Sequence, residues 1–226
     1  INAGNTLTLA GAAPTIEVVN NTVTLNNTVA GTAGFTKSGS GTLVLNGSNT
    51  YTGGTILETG TLTVNHANAI GTGSLTIGGS NNPVLRNDSG AAIVLPDNPM
   101  TWAGNFRHAG SGLDFGTGDV SITANATQDI VGGTLTVGGV VSGTVGINKQ
   151  GTGTLVFNGL NTFTGSTNIR QGTVQINSIK NFGTASALGA PASGNIAIAT
   201  TNSSTLNYPG AGDSTNRTIQ IGPTGS

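Results

Sequence analysis

The chain has 226 residues, of which 7% are charged and 4% aromatic, with 38 glycines, no cysteine and a formal net charge of −1. This composition excludes a basic stripe for nucleic acid, disulfides and thiolate metal sites, and no apolar run reaches the roughly 18 residues of a membrane-spanning helix. Abundant Thr, Val, Asn and Gly favour strands and turns, so we expect an all-β protein with no nucleic-acid partner and no membrane insertion of this segment.

The chain opens with INAGNTLTL, which has neither an initiator Met nor a signal-peptide pattern, so we expect it to be the interior of a longer chain. Short segments then recur in which apolar residues alternate with Thr or other residues, which predicts strands with one buried face. The predicted strands are TLTLA at 6–10, TVTLN at 22–26, TLVLN at 42–46, TLTVN at 61–65, AIVLP at 92–96, GLDFG at 112–116, TLTVG at 134–138, TLVFN at 154–158, TVQIN at 173–177, NIAIA at 195–199 and TIQIG at 218–222.

The spacing of these segments is nearly regular along most of the chain. A period of roughly 20 residues is too short for a propeller blade but suits one coil of a solenoid with two or three short strands. We therefore predict a parallel β-helix of about 10–11 coils of roughly 20 residues, forming a single segment over 1–226.

The coil geometry predicts where individual side chains point. One inward stack should contain Leu43, Leu62, Leu155 and Val174, and a neighbouring one Leu45, Val64, Phe157 and Ile176, with the intervening Thr and Val facing outward. Asparagines directly after the strands should form turn ladders from coil to coil, namely Asn26, Asn46, Asn65, Asn158 and Asn177. Glycines directly before the strands are expected at corners with positive φ, namely Gly41, Gly60, Gly153 and Gly172.

A longer repeat pairs 37–65 with 149–177 at a constant offset and without a gap, with 16 of 29 positions identical. Its pattern, K-x-G-x-G-T-L-V-[LF]-N-G-x-N-T-[YF]-T-G followed by G-T-[LV]-x-[VI]-N, resembles the passenger-associated transport repeat of autotransporters, with copies at 37–78 and 149–189. In the second copy the A-x-x-L-G tail comes late, as SALG at 186–189, which predicts a longer turn. The resemblance implies a right-handed β-helical passenger exported to the surface of a Gram-negative bacterium, with repeats that assist its transport or folding.

The polar stretch around His108 is the best enzyme candidate, because polysaccharide lyases on β-helices combine carboxylates with a basic residue. It contains Arg107, His108, Asp114 and Asp119. Coil neighbours should be about 20 residues apart, and Asp114 should face outward between Leu113 and Phe115, so we predict no catalytic site. Gly110, Gly112 and Asp114 resemble a calcium nonapeptide only once, which favours a glycine turn over a metal site.

The remaining candidates have structural interpretations. His66 follows a strand and is predicted on a surface turn, and the outward Thr pairs, which could suggest ice binding, are interrupted by Val44, Val156 and Gln175. Tyr51 and Phe163 occupy the same repeat position, which favours core or corner packing. Trp102 and Tyr208 could each contact a sugar at the surface or fill the core, and the sequence leaves both alternatives open.

We therefore predict a non-enzymatic structural segment of a surface or extracellular protein, without cofactor or metal, that could stack end to end into a stalk or filament. Its expected partners are neighbouring coils or further copies of itself, because open coils expose strand edges. The alternative is an adhesin or glycan-binding module in which loops such as 80–90 and 200–216 contact a host receptor or glycan.

Overall fold

The computed structural model describes residues 4–12, 14–79 and 81–222, and within these ranges the chain forms short strands and no helix, so no described helix could cross a membrane. The strands are β1 Leu7–Leu9, β2 Thr15–Glu17, β3 Thr22–Leu25, β4 Val29–Gly31, β5 Phe35–Ser38, β6 Thr42–Leu45, β7 Thr55–Leu57, β8 Thr61–Val64, β9 Leu75–Ile77, β10 Val84–Asn87, β11 Ile93–Val94, β12 Met100–Trp102, β13 Phe106–Gly110, β14 Leu113–Asp114, β15 Val120–Ile122, β16 Thr127–Ile130, β17 Thr134–Val137, β18 Val141–Gly143, β19 Ile147–Gln150, β20 Thr154–Phe157, β21 Thr167–Ile169, β22 Gly172–Ile176, β23 Asn195–Ile198, β24 Ser204–Asn207 and β25 Thr218–Ile221.

The strands stack in parallel into a β-solenoid, which confirms the predicted all-β fold. The largest sheet has ten strands in the order β25-β23-β21-β19-β16-β13-β10-β8-β6-β3. A seven-stranded sheet (β18-β15-β12-β9-β7-β5-β2) and a six-stranded sheet (β11-β14-β17-β20-β22-β24) form further faces, and β1 pairs with β4. Strands that pair within a sheet belong to successive coils, so each coil is stabilised by the coils on both sides of it.

A continuous apolar core fills the inside of the solenoid. Leu43 pairs with Leu62 and Leu45 with Val64 in register, and all four side chains are buried as predicted. In the second copy, the buried pairs are Leu155 with Val174 and Phe157 with Ile176. The alternation in the sequence therefore correctly separates inward from outward positions along these strands.

The prediction that both copies share the same two inward stacks is wrong. Leu43 lies in the ten-stranded sheet, whereas Leu155 lies in the six-stranded sheet. Following the register from Thr42 through β8, β10, β13 and β16 leads to Gln150, five coils further along the solenoid. The counterpart of Thr42 in the second copy is Thr154, which comes shortly after Gln150. The second copy therefore lies just beyond five whole coils and is rotated onto the next face of the solenoid.

Two outward-facing positions are more buried than the alternation predicts. Thr63 is 1% exposed and Val156 is 8% exposed. Arg86 lies in register beside Thr63, and Gln175 lies beside Val156. Long polar side chains can cover a neighbour with their aliphatic stems, so outward direction does not guarantee contact with water.

The asparagine ladder of the first copy is confirmed. Asn46 Nδ2 donates to Asn26 Oδ1 at 2.7 Å, and Asn65 Nδ2 donates to Asn46 Oδ1 at 2.9 Å. In the second copy, Asn177 Nδ2 instead donates to the backbone oxygen of Asn158 at 3.0 Å. Both arrangements join consecutive coils at the same corner of the repeat.

The corner glycines are of two kinds. Gly60 and Gly172 have φ values of 71° and 72°, as predicted. Gly41 and Gly153 do not have positive φ; they are required because a Cβ at either position would lie less than 3.0 Å from a backbone oxygen of the preceding coil. Close coil-to-coil approach, rather than backbone conformation, therefore selects glycine at these two positions.

The two segments predicted to be loops contain strands. Val84–Asn87 is β10 in the ten-stranded sheet, although Ser80, at the start of the predicted 80–90 loop, lies outside the described residues. Ser204–Asn207 is β24, which leaves 200–203 and 208–216 as the loop parts of the second segment. Part of the proposed binding surface is therefore regular solenoid.

Candidate functional site

The polar residues around His108 do not converge on one site. Arg107 Nε bonds Asp129 Oδ2 at 2.8 Å on the outer side of the ten-stranded sheet. Asp114 is half-buried on the six-stranded sheet, and Asp119 precedes β15 of the seven-stranded sheet. The solenoid thus distributes these groups over three faces and provides no arrangement in which they could act together.

His108 itself is a core residue. It lies in register with the buried Leu85 and Ile130, and its side chain is fully buried. Burial lowers the pKa of the imidazole, because charging a group away from water is unfavourable. His108 therefore fills space in the core as a neutral side chain.

The candidate calcium residues serve the turns in which they lie. Asp114 Oδ1 accepts a hydrogen bond from the backbone nitrogen of Gly116 at 2.8 Å, and Asp119 Oδ1 accepts one from Val140 at 2.9 Å. His66 likewise accepts a bond from the backbone nitrogen of Asn68 through Nδ1, at 3.0 Å. Within the described ranges, no three His, Asp or Glu side chains come together as metal ligands.

The aromatic residues are mainly core residues. Trp102 is fully buried, with its ring 5.2 Å from that of Phe106, so its alternative as a surface sugar contact is ruled out. Tyr51 and Phe163 are fully buried, as expected from their shared repeat position. Tyr208 is half-buried against the core, and its hydroxyl accepts a bond from the backbone of Gly212 at 3.3 Å.

The most distinctive polar groups are two lysines at the same position of the repeat. Lys37 and Lys149 are both 0% exposed. Lys37 Nζ donates to the backbone oxygens of Ser38 (2.7 Å), Gly39 (2.8 Å) and, one coil further along, Thr59 (3.2 Å). These three bonds use all the donors of an ammonium group.

The second copy reproduces this arrangement atom for atom. Lys149 Nζ donates to the backbone oxygens of Gln150 (2.7 Å), Gly151 (2.6 Å) and Gln171 (3.0 Å). We call each set the lysine clasp: the buried lysine and its three carbonyl oxygens. Each clasp joins the turns of two successive coils, at the corner where its own lysine lies.

Sequence reasoning missed the clasp, although a signal was present. The chain contains only three lysines, and two of them, Lys37 and Lys149, stand at identical positions of the two repeat copies. A surface lysine has no reason to recur in this way, whereas a lysine that satisfies turn carbonyls does.

Burial lowers the pKa of Lys149 to about 8, and the nearby Asp129 carboxylate opposes this shift. Unfolded lysine keeps its ordinary pKa near 10.5, so between pH 8 and 10.5 the unfolded chain binds more protons than the folded one. The contribution of Lys149 to stability therefore rises with pH across this window. At neutral pH the hydrogen bonds of the protonated Lys149 are therefore opposed by the unfavourable free energy of burying its charge.

We expect the free energy of unfolding of the wild-type chain to rise, relative to that of Lys149→Met, by up to about 3 kcal/mol between pH 8 and 10.5. Guanidinium titrations of both proteins at half-unit pH steps measure this difference, and groups common to both proteins cancel. A difference that stays constant or shrinks over this range would contradict the prediction.

A second pair of buried side chains links three coils in each copy. Asn49 Oδ1 accepts from the backbone nitrogen of Val29 at 2.8 Å, and its Nδ2 donates to the carbonyl oxygen of Ala69. Asn161 accepts from Val141 at 2.7 Å and donates to Ala187 at 2.8 Å. The bond to Ala187 is kept although the tail of the second copy arrives late, so the longer turn bulges outward and then rejoins the repeat.

One pair of positions differs between the copies in a way that affects hydrogen bonding. The hydroxyls of Tyr51 and Thr55 are 2.6 Å apart in the core. In the second copy the aromatic residue is Phe163, and the buried Thr167 Oγ1 has no partner among the described residues. A single oxygen atom accounts for the difference.

Phe163→Tyr is expected to stabilise the chain by about 1 kcal/mol, because the new hydroxyl can pair with Thr167 as Tyr51 pairs with Thr55. Tyr51→Phe should destabilise it by a similar amount, since Thr55 then loses its partner. Guanidinium unfolding of both variants gives the comparison. Destabilisation by Phe163→Tyr would show that the second copy has no room for the hydroxyl.

The longest departure from the repeat builds a lateral extension. We call 178–190 and 209–217 the side loops. They are joined by an ion pair between Lys180 and Asp213 and by reciprocal bonds in which Phe182 N donates to Asn216 Oδ1 (3.0 Å) and Asn216 N donates to Asn181 Oδ1 (2.9 Å). A cleft of about 510 Å³ lies between them.

Comparisons with known proteins agree with the structure. The family model for the passenger-associated transport repeat matches residues 35–64 and 147–176, the parts that hold both lysine clasps. A curated relative named "Adhesin BmaC autotransporter", from Brucella suis biovar 1 (strain 1330), is 35% identical over 227 residues. This alignment covers 98% of the chain but only 6% of the relative's length. No solved structure matches the chain significantly.

Proposed function

This chain is a β-helical passenger segment with two passenger-associated transport repeats of the autotransporter type, and we propose that each repeat is a locally stabilised unit that helps the exported chain fold. The observation that carries this proposal is the lysine clasp. Its two copies lie in different parts of the solenoid and on different faces, yet in both the lysine donates to backbone oxygens at the same three positions of the repeat. A feature kept in different surroundings serves its own coils rather than a shared site.

The physical reason is the one-dimensional character of a solenoid, in which each coil is stabilised only by its neighbours. A chain that emerges from a membrane must order its first coils without a completed core behind it. The clasp and the buried asparagine supply bonds between consecutive coils in addition to the sheet ladders. These bonds would let a repeat fold early and serve as a template for the coils that follow.

The family match and the named relative support a secreted surface protein of Gram-negative bacteria, and the proposal gives this segment a non-enzymatic role. As part of the proposal, the segment stays associated with the outer membrane and acts as a spacer. Ile219 and Ile221 on β25 are 44% and 71% exposed, so a further coil, from the same chain or from another copy, would cover apolar surface there. End-to-end stacking into a stalk is therefore included in the proposal.

Adhesion is the second candidate function. The relative is named an adhesin. In this chain the side loops extend the solenoid laterally and are held rigid by an ion pair and by the buried Arg217, whose Nη1 donates to the carbonyl oxygen of Leu188 at 2.9 Å. Insertions on one face of a solenoid are common binding surfaces. These loops, rather than the lysine clasps, would contact a receptor.

Native-state hydrogen exchange tests the folding role. We expect the amides of 35–64 and 147–176 to exchange more slowly than those of 84–130, because the repeats should open last. We also expect a Lys37→Met/Lys149→Met double variant, displayed on a Gram-negative surface by an autotransporter, to become protease-sensitive. Uniform protection along the rod, or normal display of the double variant, would refute the folding role.

A further inference from the structure

One basic side chain stands apart from all the others. The chain has seven basic residues, all of them within the described ranges. Three are buried (Lys37, Lys149, Arg217) and three form ion pairs (Arg86, Arg107, Lys180). Arg170 is exposed and takes part in none of the ion pairs of the described structure. Among the lysines and arginines of the described residues, it is the one side chain that is neither buried nor ion-paired.

Arg170 lies at the edge of a polar groove of about 450 Å³. The groove runs beside the second repeat, where the chain passes from β18 to β19 and from β20 to β21. Its polar lining consists of two hydroxyls (Thr144, Ser166) and three amides (Asn125, Asn148, Asn168) in addition to Arg170. We call it the Arg170 groove.

The amides are ordered along the axis of the solenoid. Asn168 Nδ2 donates to Asn148 Oδ1 at 2.9 Å, and Asn148 Nδ2 donates to Asn125 Oδ1 at 3.0 Å. The lining therefore spans three successive coils, in steps of about 4.8 Å. An elongated ligand with regularly spaced polar groups fits such a lining better than a compact one.

The floor of the groove is a property of the repeat. A Cβ on Gly146 would lie less than 3.0 Å from the backbone of Ser166, and a Cβ on Gly165 less than 3.0 Å from that of Gly146. Gly34 and Gly53, at the equivalent positions of the first copy, are subject to the same restriction. Both copies must therefore leave this turn without side chains, which creates the depression.

The lining, in contrast, is specific to the second copy. At the positions of Asn148, Asn168 and Arg170, the first copy has Thr36, Ile56 and Glu58. Both sets lie on the outer side of equivalent strands, and the first set supports the same backbone. Because the first copy folds without two amides and an arginine at these positions, the backbone of this turn does not depend on them. The amides bond one another between coils, whereas Arg170 takes part in none of the ion pairs of the described residues and is left for binding.

We propose that the Arg170 groove binds a segment of an acidic polysaccharide lying along the axis of the solenoid. Arg170 pairs with a carboxylate or sulfate of the glycan, since a guanidinium offers two parallel donors to either group. The amides and hydroxyls bond the sugar hydroxyls on the coils beside it. One cation among several neutral polar groups matches a chain of polyols with sparse charge.

Other polymers fit the groove less well. Nucleic acid would need several cations spaced along its backbone, and the groove has one. An acidic peptide would gain little from a lining without aromatic or large apolar anchors, since such anchors carry most of the affinity in peptide recognition. The proposal is independent of the folding role of the repeats, because the residues concerned are those in which the two copies differ.

Isothermal titration calorimetry of the whole chain tests the proposal with polygalacturonate as the carboxylate probe, heparin as the sulfate probe and dextran as the neutral probe. We expect binding of at least one acidic probe and none of dextran. Arg170→Gln should weaken that binding at least tenfold. The matched control is Arg86→Gln, which removes the same charge from the same face of the solenoid and should change the affinity less than twofold.

A triple exchange of Asn148→Thr, Asn168→Ile and Arg170→Glu gives the second copy the residues of the first copy at these three positions of the groove. We expect it to keep the circular dichroism spectrum and hydrogen-exchange pattern of the wild type but to lose polysaccharide binding. Absence of binding by the folded wild type, or equal losses for Arg170→Gln and Arg86→Gln, would overturn the proposal. So would equally tight, Arg170-dependent binding of polyglutamate, which would identify an acidic peptide as the ligand.

Discussion

Lys149→Met is expected to lower the free energy of unfolding by about 2–4 kcal/mol, and Lys37→Met by a similar amount. Methionine fills most of the space of the lysine stem but donates no hydrogen bond. The three carbonyl oxygens of the clasp then lose their donor in a place that water cannot easily reach. Relief from burying the ammonium offsets only part of this loss.

Lys180→Met is the matched control for these variants. The same change is made there to a side chain that is 43% exposed and paired with Asp213 at the surface. Such pairs contribute about 0–1 kcal/mol, so we expect little change. Guanidinium unfolding of the three single variants and the Lys37→Met/Lys149→Met double variant measures the effects. Since the two clasps are five coils apart, their losses should add, and equal losses for Lys149→Met and Lys180→Met would disprove the structural role of the clasp.

The fold class follows from the sequence because it depends on local features. Alternation at positions such as Leu43 and Leu45, and a turn residue such as Asn46 at each strand end, are repeated often enough to fix strand faces and coil length. Inward direction, the asparagine ladder of the first copy and the core position of Tyr51 could all be predicted in this way.

The phase of the second copy could not be predicted, because it depends on the coils between the copies. Strand β10 has the sequence VLRN and β13 the sequence FRHAG, neither of which alternates clearly with Thr. The register steps from Thr61 to Val84 and from Val84 to Arg107 are both longer than the step from Thr42 to Thr61. Small differences in coil length add up, and only the strand pairing shows their sum.

The candidate sites also depend on how the coils pair, and not on which residues are neighbours in the sequence. Arg107 and His108 are adjacent in sequence but lie on opposite sides of the sheet, so a cluster in the sequence became two unrelated residues. The role of Arg170 could not be predicted from the sequence. It is distinguished from the other six basic residues only by their burial and ion pairs, which the structure shows. Solenoids bring together residues one coil apart, so binding sites on them are not visible as local motifs.

Gly172→Ala is expected to destabilise the chain by more than about 3 kcal/mol, because it adds a steric clash to an unfavourable backbone conformation. Gly172 has φ of 72°, and its Cβ would lie less than 3.0 Å from the carbonyl oxygens of Gly151 and Gly153 and from Lys149 Nζ. The methyl group would therefore push directly into the lysine clasp. Backbone oxygens on the preceding coil cannot move aside without breaking the sheet ladder.

Gly183→Ala separates the two contributions. Gly183 has nearly the same φ, 73°, but an added Cβ meets nothing within 4 Å. Its replacement should cost only the backbone term of about 1–2 kcal/mol. The difference between the two variants in guanidinium unfolding thus measures how closely consecutive coils approach at the clasp. Gly60→Ala, at the same position of the first copy, should match Gly172→Ala, because its Cβ would meet the corresponding three atoms. If Gly172→Ala were no worse than Gly183→Ala, the coils would have room to separate, and the clasp could not be the rigid element on which the folding role depends.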